Sequence, residues 1–250
     1  ALAGGTVLVP AIKHAFENRQ MLVDLGHLDE LRHIKMDGQV LRIGAAVPVA
    51  QLANEPTITA QLPALAQAAL AIGNPQVRRV GTIGGNVAIG IAGADLPPAL
   101  LALDAHICLT NSDVEKLVPL QKVLADGVPA GHLITAISIE IVPSRLSGFR
   151  KFAWRKASGK TIVNTAAAVH LRNKTIDTAR LVAGGLSRAH RLPQAEGMLA
   201  GKALEASLID TVAQTAAAEA TCTETALPAE KYRRKLVQTG IHQILTEMAT

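Results

Sequence analysis

The sequence predicts an α+β protein in two parts. Short stretches of alternating apolar and polar residues are interleaved with longer stretches whose apolar residues recur at helical spacing, and a polar break falls just past the middle of the chain. Alternation marks strands at 40–43, 106–109, 137–141 and 167–171. Helices are expected at 62–72, 96–104, 204–220 and 232–248, the last two carrying the clearest apolar stripe. The Ala-rich run 215–220 keeps that period, so it belongs to a helix and is not low complexity. The third strand ends at Pro143, and Ser144 to Gly148 reads as a polar connection. This gives one domain over 1–143 and a second over 149–250, the second with a small sheet over 149–186 followed by helices.

A chain of 250 residues, 49% of them apolar, can bury a substantial core, with aliphatic residues and alanine supplying nearly all of it. A formal charge of +5 would suit an anionic ligand, but the basic residues are scattered. Lys231, Arg233, Arg234 and Lys235 form the one cluster, which reads as a solvated helix face. With one Trp, one Tyr and three Phe there is no base-stacking surface, so no nucleic-acid partner is expected. Cys108 and Cys222 lack the close spacing of a zinc site, an iron–sulfur cluster or a redox pair, so no metal ligands are assigned. No apolar run reaches the roughly 20 residues of a membrane span, and the chain start lacks signal-peptide character. A soluble, cytoplasmic protein is expected. The eight histidines, at 14, 27, 33, 106, 132, 170, 190 and 242, share no short spacing and no carboxylate pattern, and read as surface or satisfied residues.

Two glycine pairs carry the chemistry. The chain opens Ala1-Leu2-Ala3-Gly4-Gly5-Thr6, and Gly81-Thr82-Ile83-Gly84-Gly85-Asn86 repeats the theme. Adjacent glycines admit positive φ and bring bare N–H groups close to an anion, while Thr and Asn add side-chain donors. Two such turns could grip one diphosphate; each alone could equally be a tight turn. Neither matches the phosphate loop of kinases or the strand-plus-glycine fingerprint of nicotinamide dehydrogenases.

The text around these pairs resembles the FAD-binding subunits and domains of molybdenum hydroxylases such as xanthine dehydrogenase and carbon monoxide dehydrogenase. The matching pieces are LAGGT at 2–6, LVDLGHLDEL at 22–31, LRIGAAVPVAQL at 41–52, PALAQAALAIGNPQVRRVGTIGGNVA at 63–88 and ADLPPALLALDA at 94–105. EGMLAGK at 196–202 and YRRKL at 232–236 continue the order to the end. The resemblance implies a vanillyl-alcohol-oxidase-like fold, with two α/β subdomains holding an extended FAD and a C-terminal sheet-and-helix domain. It also implies a division of labour. A separate molybdopterin subunit oxidises substrate, [2Fe-2S] clusters in an iron–sulfur subunit relay electrons, and noncovalent FAD here passes them to NAD or another acceptor.

Carried onto this sequence, the resemblance implies that Ala3, Gly4, Gly5 and Thr6, with Thr82, Ile83, Gly84, Gly85 and Asn86, bind the FAD diphosphate through backbone N–H groups and hydroxyls, and that Leu2 and Val7 also belong to the cofactor site. Asp95 would lie near the ribityl or ribose part; a helix-terminal carboxylate is its rival reading. Ile72 and Leu133 would line the cofactor, or simply belong to the core. Lys151 would approach the FAD, or be a solvated lysine, and Trp154 is expected to pack. The family usually has a strand and helix before AGG, which the sequence given lacks, and often an Asp where Val7 stands. No catalytic side chain is assigned. Two alternatives stay open: a free-standing FAD oxidase, and a scaffold subunit without FAD.

Overall fold

The structure, a computed structural model, describes residues 1–13, 21–112, 114–155, 159–223 and 228–250. In chain order the elements begin with α1 (Leu8–Lys13), β1 (Ile34–Asp37) and β2 (Val40–Gly44). A run of short helices follows: α2 (Val49–Leu52), α3 (Pro56–Gln61), α4 (Pro63–Ala71), α5 (Pro75–Val80), α6 (Ile83–Ala88) and α7 (Leu96–Ala102). Next come β3 (His106–Thr110), β4 (Glu115–Pro119), α8 (Leu120–Asp126) and β5 (Leu133–Glu140). The second half holds β6 (Arg145–Ala153), β7 (Thr161–Arg172), β8 (Thr175–Gly184), β9 (His190–Arg191), α9 (Pro193–Gly197), α10 (Ala206–Glu219) and α11 (Glu230–Ala249).

Two antiparallel sheets organise these elements, a five-stranded one in the order β1-β2-β5-β3-β4 and a four-stranded one in the order β6-β7-β8-β9. One face of the first sheet, with Leu41, Ile43, Ile107, Ile137 and Ile139, joins α4 and α7 in a core that reaches Phe149, Ala166 and Ala168 of the second sheet. The other face of the second sheet, with Ala167, Val169 and Leu181, packs on α10 and α11. The period of two along β7 thus sends successive residues into different cores, and its middle is buried on both sides. The short helices are a layer between the two sheets, and that layer carries the site. Among the described residues no helix is long and apolar enough to cross a membrane.

Each strand and helix read from the sequence is present, with shifted ends. The break expected at 144–148 is mostly strand, since β6 begins at Arg145. Ser147 and Gly148 are placed by contacts that local polarity does not reveal. The Ser147 hydroxyl accepts from the N–H of Ala64 at 3.2 Å, and a Cβ on Gly148 would come within 2.9 Å of Ile244. The turn itself is at Ser144, whose φ of 61° lies in the left-handed region.

Candidate cofactor-binding site

The first glycine loop is built by two different glycine properties. Leu2 is tied to the neighbouring extended segment by its N–H to Val23 O (2.8 Å) and by Leu25 N–H to its own carbonyl (2.7 Å). Gly4 lies against the end of α5, where a Cβ would stand 2.2 Å from Val80 O and 2.8 Å from Gly81 Cα. Gly5 turns the chain into α1 with φ 63°, and its carbonyl accepts from Val9 N–H at 2.9 Å. The two glycine segments, far apart in sequence, therefore touch. The N–H groups of Gly4, Gly5 and Thr6 meet no acceptor among the described residues, as expected of a loop entering a helix.

The second pair differs from the expected amide clamp. Gly84 and Gly85 lie inside α6, so neither takes positive φ. Ile83 N–H donates to Val47 O (3.1 Å), Gly84 N–H to Ala45 O (2.9 Å) and Asn86 N–H to Thr82 O (3.0 Å). Gly85 N–H goes to the hydroxyl oxygen of Thr82 at 3.2 Å, an N-cap bond. What this segment offers a ligand is on its side chains. The Thr82 hydroxyl accepts that cap bond and keeps its hydrogen to donate. Asn86 Oδ1 accepts from Leu96 N–H at 3.3 Å, leaving the Asn86 amide hydrogens as donors.

These groups line a cavity of about 250 Å³ that takes in Leu2 through Val7, Ile72, Thr82, Gly85 and Asn86. A second cavity of about 210 Å³ is walled by Leu25, Leu31, Ala46, Val128, Leu133 and Ile134, and shares Ala1, Ala3, Gly85 and Ala88 with the first. Together they form a two-lobed groove passing over Ala3 and Gly85. Of the expected residues, Gly84 lines the second lobe only, and Ile83 is fully buried and lines neither. Sequence reading missed Val49, Val77, Ile89 and Ile91 in the first lobe and His132 in the second. The His132 ring meets Ala130 O through Nδ1 (3.1 Å) and the Asn111 side-chain nitrogen through Nε2 (3.4 Å). Its place beside Leu133 was the one available signal.

The groove fits an extended dinucleotide by its donor set. Bare backbone amides, a hydroxyl and a carboxamide line the first lobe, where charge would sit, and the second lobe has mostly apolar walls. Gly85 forms part of the cradle, because a Cβ there would touch only Thr82 Oγ1, at 3.0 Å, and otherwise project where a ligand would lie.

Asp95 and Lys151 line neither lobe. They pair with each other, Lys151 Nζ to Asp95 Oδ2 at 2.6 Å, with only 12% and 6% of the two side chains exposed. Burial pushes the Asp95 carboxyl above its ordinary range, while Lys151, Asn164 and Thr161 pull it down. Asp95 precedes α7 but caps none of its N–H groups. Lys151 also borders a separate cleft of about 950 Å³ with Arg78, Arg150, Arg155 and Tyr232. Trp154 is 55% exposed, against the expected packing.

The basic cluster of α11 is a solvated face only in part, at the exposed Lys231 and Lys235. Arg233 is buried and donates to Thr223 O, while Arg234 donates to the carbonyls of Ala217 and Ala218 at the end of α10. Of the histidines, His27, His170 and His242 each meet a carboxylate, of Asp24, Asp177 and Asp210. His14 lies outside the described residues. Among the described residues, no three His, Cys, Asp or Glu are grouped to hold a metal ion.

Residues 1–141 match the family described as FAD binding domain in molybdopterin dehydrogenase, and 148–248 match the CO dehydrogenase flavoprotein C-terminal domain. The chain is 31% identical, over 98% of its length and 85% of the relative's, to the 6-hydroxypseudooxynicotine dehydrogenase complex subunit alpha of Paenarthrobacter nicotinovorans. It is 32% identical, over 87% of its length and 77% of the relative's, to the carbon monoxide dehydrogenase medium chain of Hydrogenophaga pseudoflava. Its fold superposes with TM-score 0.91 on a structure of carbon monoxide dehydrogenase from that organism lacking the Mo-pyranopterin moiety, at 27% identity, covering 98% of this chain and 87% of the other. It superposes with TM-score 0.90 on quinoline 2-oxidoreductase from Pseudomonas putida 86, at 25% identity, covering 99% and 88%. With two family matches end to end and relatives above 30% identity, the chain belongs to the FAD-binding subunits of the molybdenum hydroxylases, a family of FAD-dependent oxidoreductases.

Proposed function

We propose that this chain is the electron-transfer flavoprotein of a multisubunit hydroxylase and holds one noncovalent FAD along the two-lobed groove. The observation that carries this reading is the meeting of two glycine segments at one cavity. The bare amides of Gly4, Gly5 and Thr6 and the side-chain donors of Thr82 and Asn86 all line it. Ala3 through Thr6, Thr82 and Asn86 would hold the diphosphate, while Ile72 in one lobe and Leu133 in the other would lie against the rest of the cofactor. Bound FAD would supply the capacity to take up electrons delivered through [2Fe-2S] clusters and to pass a pair to NAD or another acceptor. The cleft beside Lys151, with Arg78, Arg150 and Arg155 on its walls, gives an anionic acceptor an electropositive approach.

The names of the relatives, a medium chain and a subunit of a dehydrogenase complex, support partners of two kinds, an iron–sulfur subunit and a molybdopterin subunit. We place the FAD-binding domain over 1–143, the C-terminal domain over 149–250, and the assembly in the cytoplasm.

Purified chain mixed with flavins is expected to retain about one FAD per polypeptide and to release it unmodified on denaturation. Full occupancy by FMN with rejection of FAD would overturn the diphosphate reading, because a single phosphate leaves half of the donor set unused. Isolated gently from its native host, the chain is expected in an assembly containing iron and molybdenum. The metal-free chain alone should oxidise no hydroxylase substrate. Recovery of a flavin-loaded single polypeptide that turns over such a substrate would instead establish a free-standing oxidase.

A further inference from the structure

The second lobe of the groove holds a single polar side chain, His132, among walls of alanine, glycine, valine, leucine and isoleucine. It is also the one aromatic ring among the described residues that line either lobe. The turn before β5 fixes it there. His132 N–H donates to Pro129 O (3.1 Å), and Gly131 supplies the positive φ, 74°, that favours glycine at the third place of a tight turn. The half-buried ring then meets protein at both nitrogens, at Ala130 O through Nδ1 (3.1 Å) and at the Asn111 side chain through Nε2 (3.4 Å). What a ring so held offers a ligand is its flat π surface, at little entropic cost because its orientation is already set.

The groove is also unequal at its two ends. The first lobe runs to Ile72, whose neighbours Ala71 and Gly73 border the electropositive cleft with Arg78. A flavin that exchanges electrons with outside groups belongs on that side. The second lobe is the smaller, and its mostly apolar walls suit a flat group that takes no part in the chemistry. We propose that His132 is the stacking platform for the adenine of FAD, held in the second lobe. This rests on the reading that FAD occupies the groove.

The test measures the affinity of the full chain for FAD, and for ADP competing with it, in two variants, His132→Leu and His132→Phe. Both lose the ring nitrogens, so any loosening of the turn is common to them, and only phenylalanine keeps a ring. His132→Leu is expected to weaken FAD and ADP by about tenfold each, the scale of one lost base–aromatic stack. His132→Phe should hold both ligands to within about threefold of the unaltered chain, because any aromatic face can stack on a base. The visible circular dichroism of bound flavin should be the same in all three proteins at saturation, since the isoalloxazine lies away from the substituted ring. Unchanged affinity in His132→Leu would overturn the platform. Equal losses in both variants would overturn it too, by assigning the effect to the nitrogens or the turn. Weaker FAD with unchanged ADP and an altered dichroism would put the isoalloxazine against His132 and defeat the assignment to adenine. If the unaltered chain takes up no FAD, the cofactor reading fails and the platform with it; normal FAD uptake with any of those three results defeats the platform alone.

Discussion

Gly84→Val is expected to destabilise the FAD-binding domain markedly, whereas Gly85→Val should leave a stably folded protein that no longer holds FAD. The two residues are adjacent in one short helix but face different things. A Cβ on Gly84 would stand 2.6 Å from Ala45 Cβ and 2.8 Å from the Ala45 carbonyl oxygen, the same oxygen that accepts Gly84 N–H. Helix α6 and the segment leaving β2 would have to part, losing that hydrogen bond and core packing. Overpacking of about 1–3 kcal/mol and a lost buried bond of about 1 kcal/mol sum to about 3 kcal/mol. In a chain of this size that is a fall in melting temperature of about 8 °C. A Cβ on Gly85 meets only the Thr82 hydroxyl, and the branches of valine would fill the groove between its lobes. Its melting temperature should move by little, while FAD affinity falls at least about a hundredfold, or about 2.7 kcal/mol. Thermal melts and flavin titrations of both variants decide the matter. Loss of FAD from a stably folded Gly84→Val protein would mean that Gly84, like Gly85, faces the ligand.

That contrast marks where the sequence is legible. Position along the chain was readable: both glycine segments are at the groove, because turn residues flanked by hydroxyl and amide side chains mark places where backbone can approach a ligand. Roles were not readable, because they depend on partners far away. Nothing local shows that the amides of Ile83 and Gly84 are taken by Val47 and Ala45. Asp95 and Lys151 are 56 residues apart, and only the packing of β6 on α4 and α7 joins them. The same limit explains the elements. Long helices such as α10 and α11 repeat their apolar stripe often enough to be seen. Strand β6 hides its alternation behind Arg145, Arg150 and Lys151, which a local reading takes as solvated and which the fold uses at the domain seam. Strand β1, with three exposed residues of four, has almost no buried face to announce it.

Gly240→Ala is expected to destabilise the C-terminal half although alanine is the better helix former. Gly240 sits near the middle of α11, where an alanine would gain about 1 kcal/mol in helix propensity. The reason for glycine is across the interface. A Cβ there would stand 2.3 Å from Thr165 Oγ1, 3.0 Å from Phe152 Cε2 and 3.2 Å from Thr165 Cγ2. Thr165 is fully buried on β7, and a β-branched side chain at the centre of a sheet has little rotamer freedom with which to yield. The helix must therefore lift from β6 and β7, and the net cost should be about 2 kcal/mol, a drop of about 5 °C in melting temperature. The explanation predicts its own rescue. The Thr165 hydroxyl is buried and has no hydrogen-bond partner among the described residues, so Thr165→Ala removes the two Thr165 atoms without breaking a bond and leaves only Phe152 Cε2, at 3.0 Å, to give way. In that background Gly240→Ala should cost little or nothing, as the propensity gain of up to about 1 kcal/mol is opposed only by the Phe152 contact. Melting curves of the two single variants and the double variant measure the coupling. Simple additivity would show that Gly240 is not there for close approach to Thr165, and that α11 is held on the sheet chiefly by its Leu236, Val237, Ile241 and Ile244 contacts.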